Sequence, residues 1–158
     1  MPHSGLSLQQ ISDRIEIEDL LTQYATAVDT RDWELYRSVF TADAWIDYRS
    51  AGGPVGNLDK TVAFLDEALG HFEMTQHLIS NIDSHIDGDS AKVSAVFNNP
   101  MRLPGGTAWF IGGRYHHEMV RTNRGWQSHR LVEETLWFDR SPVGDLSTGH
   151  TNKPSDGS

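Results

Sequence analysis

The chain of 158 residues contains no cysteine. Disulfides, iron–sulfur clusters, thiol catalysis and thiolate zinc sites are therefore excluded. Basic residues are scarce, 13 against 22 acidic ones, for a formal charge of −9, and none form a run. Such a surface does not suit a phosphate backbone or an anionic bilayer, so no nucleic-acid and no membrane partner is expected. Long apolar runs are also missing, and none approaches the roughly 20 residues of a spanning helix. The opening Met1-Pro2-His3-Ser4-Gly5 has neither the charged nor the apolar region of a signal peptide. A soluble, cytoplasmic, single-domain protein is the expectation. Gly-x-Gly-x-x-Gly, a P-loop, Gly-x-Ser-x-Gly and His-Glu-x-x-His are all absent. The eight histidines form no tight cluster with acids, and the adjacent His116 and His117 point to opposite faces of a strand. No metal and no cofactor is expected.

What is present begins with an amphipathic helix carrying Leu8, Ile11, Ile15, Leu21, Tyr24 and Val28 at three- and four-residue steps. Asp29 follows near its end. A short second helix has Asp32 as N-cap, and Trp45–Arg49 reads as the first strand. Leu58, Val62, Leu65 and Leu69 mark a third helix between Asn57 and Gly70. The remainder reads as sheet: Met74–Asp87, a turn at Gly88, Ala91–Asn98, a loop over Pro100–Gly106, then the hairpin Thr107–Thr122 and Trp126–Asp139. Residues 8–140 form the expected domain, with 1–7 and 141–158 as flexible termini. Helices followed by long strands predict an α+β fold, a cone-shaped curved antiparallel sheet closed by three helices around a pocket. Apolar positions on the outer side of the hairpin, drawn from Phe110, Met119, Leu131 and Trp137, predict a homodimer or homotrimer packed through the sheet.

Several residues can carry chemistry. His77 shares a strand face with Thr75, Ile79 and Asn81. It is either a core imidazole bonded to backbone or a general base oriented by Asp29. Asp29 sits where the helix dipole disfavours a carboxylate, which suggests a role beyond local structure, although a bond from Arg31 would also account for it. Tyr24 and Tyr48 could donate to a substrate oxygen or be core tyrosines with satisfied hydroxyls. Trp109, Ile111, Tyr115 and His117 share one face of the hairpin. Arg130, in step with Trp126, Ser128 and Val132, suggests an anion or oxygen ligand, or a salt bridge to Glu133 or Glu134.

Set in order, these pieces resemble a family. They are Tyr24-Ala25-x-x-Val28-Asp29-x-Arg31-Asp32-Trp33, Phe40-x-x-Asp43-Ala44, Ile46-Asp47-Tyr48-Arg49-Ser50, Thr75-Gln76-His77-x-x-x-Asn81, Gly113-x-Tyr115 and Arg121-x-x-x-Gly125-Trp126. The chain is similar to SnoaL-like members of the nuclear transport factor 2-like superfamily. Within that group it resembles scytalone dehydratase, hexachlorocyclohexane dehydrochlorinase and bile-acid 7α-dehydratase.

The resemblance implies an Asp29–His77 pair that abstracts a proton, with Tyr24, Tyr48, Ile111, Tyr115 and Arg130 against the substrate. It implies a cofactor-independent lyase or isomerase, dehydratase-like, acting on a small hydrophobic cyclic or polyketide-like substrate. A non-enzymatic binding or assembly module of the same fold is the alternative, as is an epoxide-hydrolase or hydroxylase type. The second pocket histidine of scytalone dehydratase has no match here, where Asn98, Asn99, Pro100 and Met101 stand. The second acid of the bile-acid enzyme has no match in that region either.

Overall fold

Helix α1 (Leu8–Thr30) begins where Ser7 and Gln10 cap each other's backbone reciprocally, satisfying two otherwise orphaned N–H groups. The computed structural model describes residues 5–139, and the expected flexible tail, 141–158, lies outside them. The buried line of α1 runs through Asp13, Ile17, Leu20, Leu21, Tyr24, Ala27 and Val28. Leu8, Ile11 and Ile15, read above as part of this stripe, are exposed. At 100° per residue they fall on the opposite side of the helix, so the three- and four-residue steps of the sequence joined two faces into one.

Helix α1 ends at Arg31, a non-glycine residue in the left-handed region (φ 56°). Its guanidinium donates to the carbonyls of Asp29 and Leu69, offsetting the strain and tying α1 to the end of α3 (Leu58–Gly70). Asp32 caps α2 (Trp33–Ser38) and Asn57 caps α3, as their side chains predict.

The sheet contains β1 (Phe40–Asp47), β2 (Val55–Gly56), β3 (Met74–Thr75), β4 (Leu78–Asp87), β5 (Ser90–Arg102), β6 (Trp109–Thr122) and β7 (Gly125–Asp139). Its order is β2-β1-β7-β6-β5-β3, with β4 also on β5. Most pairs are antiparallel, but β1 runs parallel to β7, so the sheet is mixed. The long strand expected over Met74–Asp87 is interrupted after Thr75, and its second part, β4, bulges against β5 near Asn81, where the backbone turns left-handed (φ 49°). Strand β5 runs on through Pro100 to Arg102, so the loop expected from Pro100 begins later.

Strand β7 carries two bulges against β6. One leaves His129 unpaired, between Met119↔Ser128 and Glu118↔Arg130. The other leaves Leu136 unpaired, between Gly113↔Thr135 and Gly112↔Trp137. Each bulge reverses which residues face inward. Gly113 permits the second, since a Cβ there would collide with the Glu134 carbonyl. Of the residues expected on the outer face, Met119 and Leu131 are buried in the core and Trp137 is exposed.

Near the start of α1, the buried Asp13 accepts from Arg121 of β6 and from Trp126 Nε1 of β7, fixing the helix across the sheet. Arg121 above all holds the Asp13 carboxyl down at about 2. A carboxyl lowered on folding stabilises fully above its unfolded value, near pH 4, and that contribution is lost as pH falls through the folded one. Asp13→Asn is therefore expected to lower Tm at neutral pH by roughly 4 °C or more. The deficit narrows as pH is taken from 5 to 3 in thermal melts followed by circular dichroism.

Candidate active site

Asp29 spends both carboxylate oxygens on one residue. Oδ2 accepts the backbone N–H of His77 at 2.8 Å and Oδ1 lies 2.6 Å from His77 Nδ1. Arg31 bonds the Asp29 carbonyl instead of its carboxylate, so the carboxylate is not explained as a local helix-end contact. His77 lies between β3 and β4 on the open edge of the sheet, where Gln76 donates to the Pro100 carbonyl of β5 and the next N–H along is left for a helix side chain. With Nδ1–H donating to Asp29, Nε2 carries the lone pair, and it has no hydrogen-bond partner among the described residues. The imidazole is largely enclosed (9% exposed side chain) and Asp29 is more open (23%).

His77 lines a cavity of about 190 Å³ between the helices and the concave face of the sheet. Val28, Leu65, Phe72, Met101, Ile111 and Phe138 give it apolar walls, from both helices and strands. Tyr24, Tyr48 and Tyr115 also line it. The Tyr48 hydroxyl lies 2.7 Å from that of Tyr24 and 2.9 Å from that of the buried Tyr36. A chain of phenols always holds one more O–H than links, so one donor is left over. When the chain runs from Tyr36 toward Tyr24, that donor lies at the cavity end. Burial, foremost, pushes the phenols of Tyr24, Tyr48 and Tyr115 well above their ordinary value, so they act here as hydrogen-bond donors and not as acids.

Six of the seven residues singled out from the sequence are thus gathered at one place: Asp29, His77, Tyr24, Tyr48, Ile111 and Tyr115. Arg130 is not among them. It lies on the outer face, its guanidinium 4.5 Å from the Trp45 ring centre and 3.8 Å from Glu118. Strict alternation put it inward with Trp126 and Ser128; the bulge at His129 turns it out.

The same bulge turns Leu131, Glu133 and Thr135 inward, so Glu133, read above as a salt-bridge partner of Arg130, enters the cavity instead, where Asn99 of β5 and Trp109 of β6 also bring polar atoms. Glu133 lines it beside Tyr115, its cross-strand partner on β6. Its Oε1 accepts from Thr135 Oγ1 at 3.2 Å. Burial raises its carboxyl to about 7. Asn99 Oδ1 and Trp109 Nε1, an acceptor and a donor, are buried without partners among the described residues, and both residues line the cavity. One sequence signal did point to Glu133: an acid two residues after an apolar Leu131, and so on the same face. Deeper in the core, the neutral His117 bonds Ser128 Oγ at 2.9 Å, and burial pushes it down to about 3. Among the described residues no three histidine or carboxylate side chains converge as a metal ion requires.

Comparison with known proteins gives one family and a set of structural neighbours. The profile described as SnoaL-like domain matches residues 9–132. An uncharacterized protein of Mycobacterium tuberculosis is 39% identical over 135 residues, 84% of this chain and 92% of that protein. A candidate aromatic ring hydroxylase from Novosphingobium aromaticivorans is similar at 30% identity and TM-score 0.74, covering 80% of this chain and 91% of its own. A candidate scytalone dehydratase from the same organism is 20% identical at TM-score 0.74, over 85% and 95% of the two chains. A hexachlorocyclohexane dehydrochlorinase is 19% identical at TM-score 0.75, over 94% and 99%. The last two likenesses establish the shared fold.

The half-buried Glu133 leaves a mark on stability. A carboxyl raised on folding gives stability that is full below its unfolded value and lost as pH rises through about 7. Glutamine does not titrate, so the Tm of Glu133→Gln minus that of the wild type is expected to grow from pH 5 to about pH 7 and to level off by pH 8. A difference that stays flat across that range would show that folding does not hold Glu133 neutral.

Proposed function

The chain belongs to the SnoaL-like domain family, and on that premise we propose that it is a cofactor-independent lyase of the dehydratase type. In this reading His77 removes a proton from carbon through Nε2. Asp29 holds the tautomer that leaves Nε2 basic and stabilises the imidazolium that forms. The carbon acid sits beside a carbonyl, and the spare hydroxyl of Tyr24, itself accepting from Tyr48, donates to the negative charge that develops on its oxygen. The apolar walls exclude water, which strengthens both interactions.

The observation that carries this reading is the doubly bonded Asp29–His77 pair beside an apolar cavity. A binding module of the same fold has no need to commit both oxygens of a partly buried carboxylate to the backbone N–H and ring nitrogen of one histidine. Substrate size follows from the cavity. Filled at the density of protein interiors, about 190 Å³ takes roughly ten non-hydrogen atoms, one ring or two fused ones.

Deuterium exchange at the carbon next to the carbonyl of 1-tetralone, followed by NMR in D2O, tests proton abstraction alone. His77→Ala and Asp29→Asn are each expected to slow enzyme-dependent exchange by roughly 10²–10⁴-fold with little change in Tm. The double variant is expected to lose little beyond the worse single one, since a base and its orienting partner act as a unit. Additive losses, or losses matched by unfolding, would retire the pair as the base.

A further inference from the structure

Elimination from carbon needs a second proton transfer whenever the leaving group is hydroxide, because hydroxide departs poorly unless it is protonated. Chloride needs no such help. The groups lining the cavity therefore distinguish a protein built to lose water from one built to lose halide.

We propose that Glu133 is the general acid of this site, and that its substrate is a β-hydroxy carbonyl compound that loses water. The assignment rests on the proton-abstracting role of His77 set out above. It follows from what else the cavity holds. Asn99 and Trp109 present an amide and an indole, neither of which is an acid. The three lining phenols are buried and hold their protons more tightly than ordinary tyrosines. Among the described residues no lysine or arginine lines the cavity. Apart from Asp29, committed to His77, that leaves Glu133 as the carboxyl able to give a proton there. Oε1 accepts from Thr135, and Oε2 has no partner among the described residues, so Oε2 is the oxygen free to carry the proton.

The backbone around Glu133 is held for this placement. Ser50 Oγ donates to the Glu133 carbonyl at 2.7 Å and accepts the N–H of Thr135 at 3.0 Å, pinning β7 between its two bulges. In sheet order Glu133 and the β3–β4 interruption that carries His77 are separated by β6 and β5, so acid and base stand on different walls of one cavity.

The step balances as follows. Nε2 of neutral His77 takes the proton from the carbon next to the carbonyl, and that electron pair becomes the C=C bond. The C–O bond to the β-hydroxyl breaks, and its oxygen takes the proton of the Glu133 carboxylic acid and leaves as water. Imidazolium and carboxylate remain, and one proton passed from His77 to Glu133 through solvent restores the resting state.

The paired probes 3-hydroxy-1-tetralone and 3-chloro-1-tetralone test this, since each yields 1-naphthol, by loss of water and of HCl respectively. Glu133→Gln is expected to lower the ratio of hydroxy-probe to chloro-probe turnover by roughly 10²-fold, with Glu133→Asp intermediate. Wild-type turnover of the hydroxy probe is expected to fall as pH rises through about 7, and this limb disappears in the glutamine variant. The titratable groups facing Glu133 are Tyr24 of α1, Tyr36 of α2, Tyr48 after β1, Tyr115 and His117 of β6, and His77. Of these only His77 shares the cavity without being a phenol, and the tetralone exchange reports it separately. An unchanged ratio in Glu133→Gln overturns the assignment, as does a wild type that expels chloride but not water. Intact tetralone exchange in that case shows the base surviving without the acid. Loss of exchange together with both eliminations in His77→Ala supports the acid only if the Glu133 ratio also moves. A wild type inert to all three probes retires base and acid together.

Discussion

Everything at this site depends on one bond from backbone to carboxylate. Between β3 and β4, on the open edge of the sheet, Gln76 donates to the Pro100 carbonyl of β5 and the next N–H, that of His77, donates to the carboxylate of Asp29. This bond takes a donor that the ladder leaves free and gives it a charged acceptor, stronger than a neutral one. It also fixes the imidazole from two directions, through the backbone and through Nδ1, so the ring cannot rotate away without breaking both. Arg31 makes this rigid from below. Its left-handed backbone ends α1 just after Asp29, and its guanidinium binds carbonyls at the end of α3. A carboxylate at a helix C-terminus is disfavoured by the dipole. Here two donors from His77 offset that penalty.

How far the sequence alone reached follows from which parts of the chain obey simple periodicity. Caps at Asp32 and Asn57 and the turn at Gly88 were legible because each depends on one side chain or one positive φ. Tyr24, Asp29, Tyr48 and His77 were legible as a set only through family resemblance, since no periodicity brings positions some 50 residues apart together. Period-2 alternation worked on β6, where Trp109, Ile111 and Tyr115 face inward as expected. It failed on β7. A single unpaired residue, His129, shifts the phase, sending Arg130 to the Trp45 ring and Glu133 to the cavity. Bulges have no strong signature in one sequence. The signal at Gly113, a residue that admits a neighbouring carbonyl, is visible only once the partner strand is known.

The first helix failed differently. Leu8, Ile11 and Ile15 have the right spacing for a core stripe, but the deeply buried face is carried by Ile17, Leu21, Tyr24 and Val28, with Asp13 at its start. An acid at a core position reads as polar, so the pattern in sequence was drawn through the wrong residues. The tertiary partners of Asp13, Arg121 and Trp126, lie more than 100 residues away and decide its burial.

Burying Glu133 is costly, and the size of the cost bears on why the residue is there. Raising a carboxyl from 4.5 to about 7 corresponds to about 3 kcal/mol of lost stability once the group is ionised. That is a substantial share of the 5–15 kcal/mol that holds a typical domain together. A glutamine would fill the same volume without the penalty. In the resting state of the proposed reaction both working groups are neutral, the imidazole at Nε2 and the carboxyl at Oε2, so the apolar cavity is charged only at Asp29. Turnover creates an imidazolium beside that carboxylate and a second carboxylate at Glu133, leaving the cavity with the same net charge as before. A low-dielectric pocket tolerates this separation because each new charge has a partner, Asp29 for the first and the Thr135 hydroxyl for the second. The wall that makes Glu133 expensive to ionise is what keeps its proton available at neutral pH.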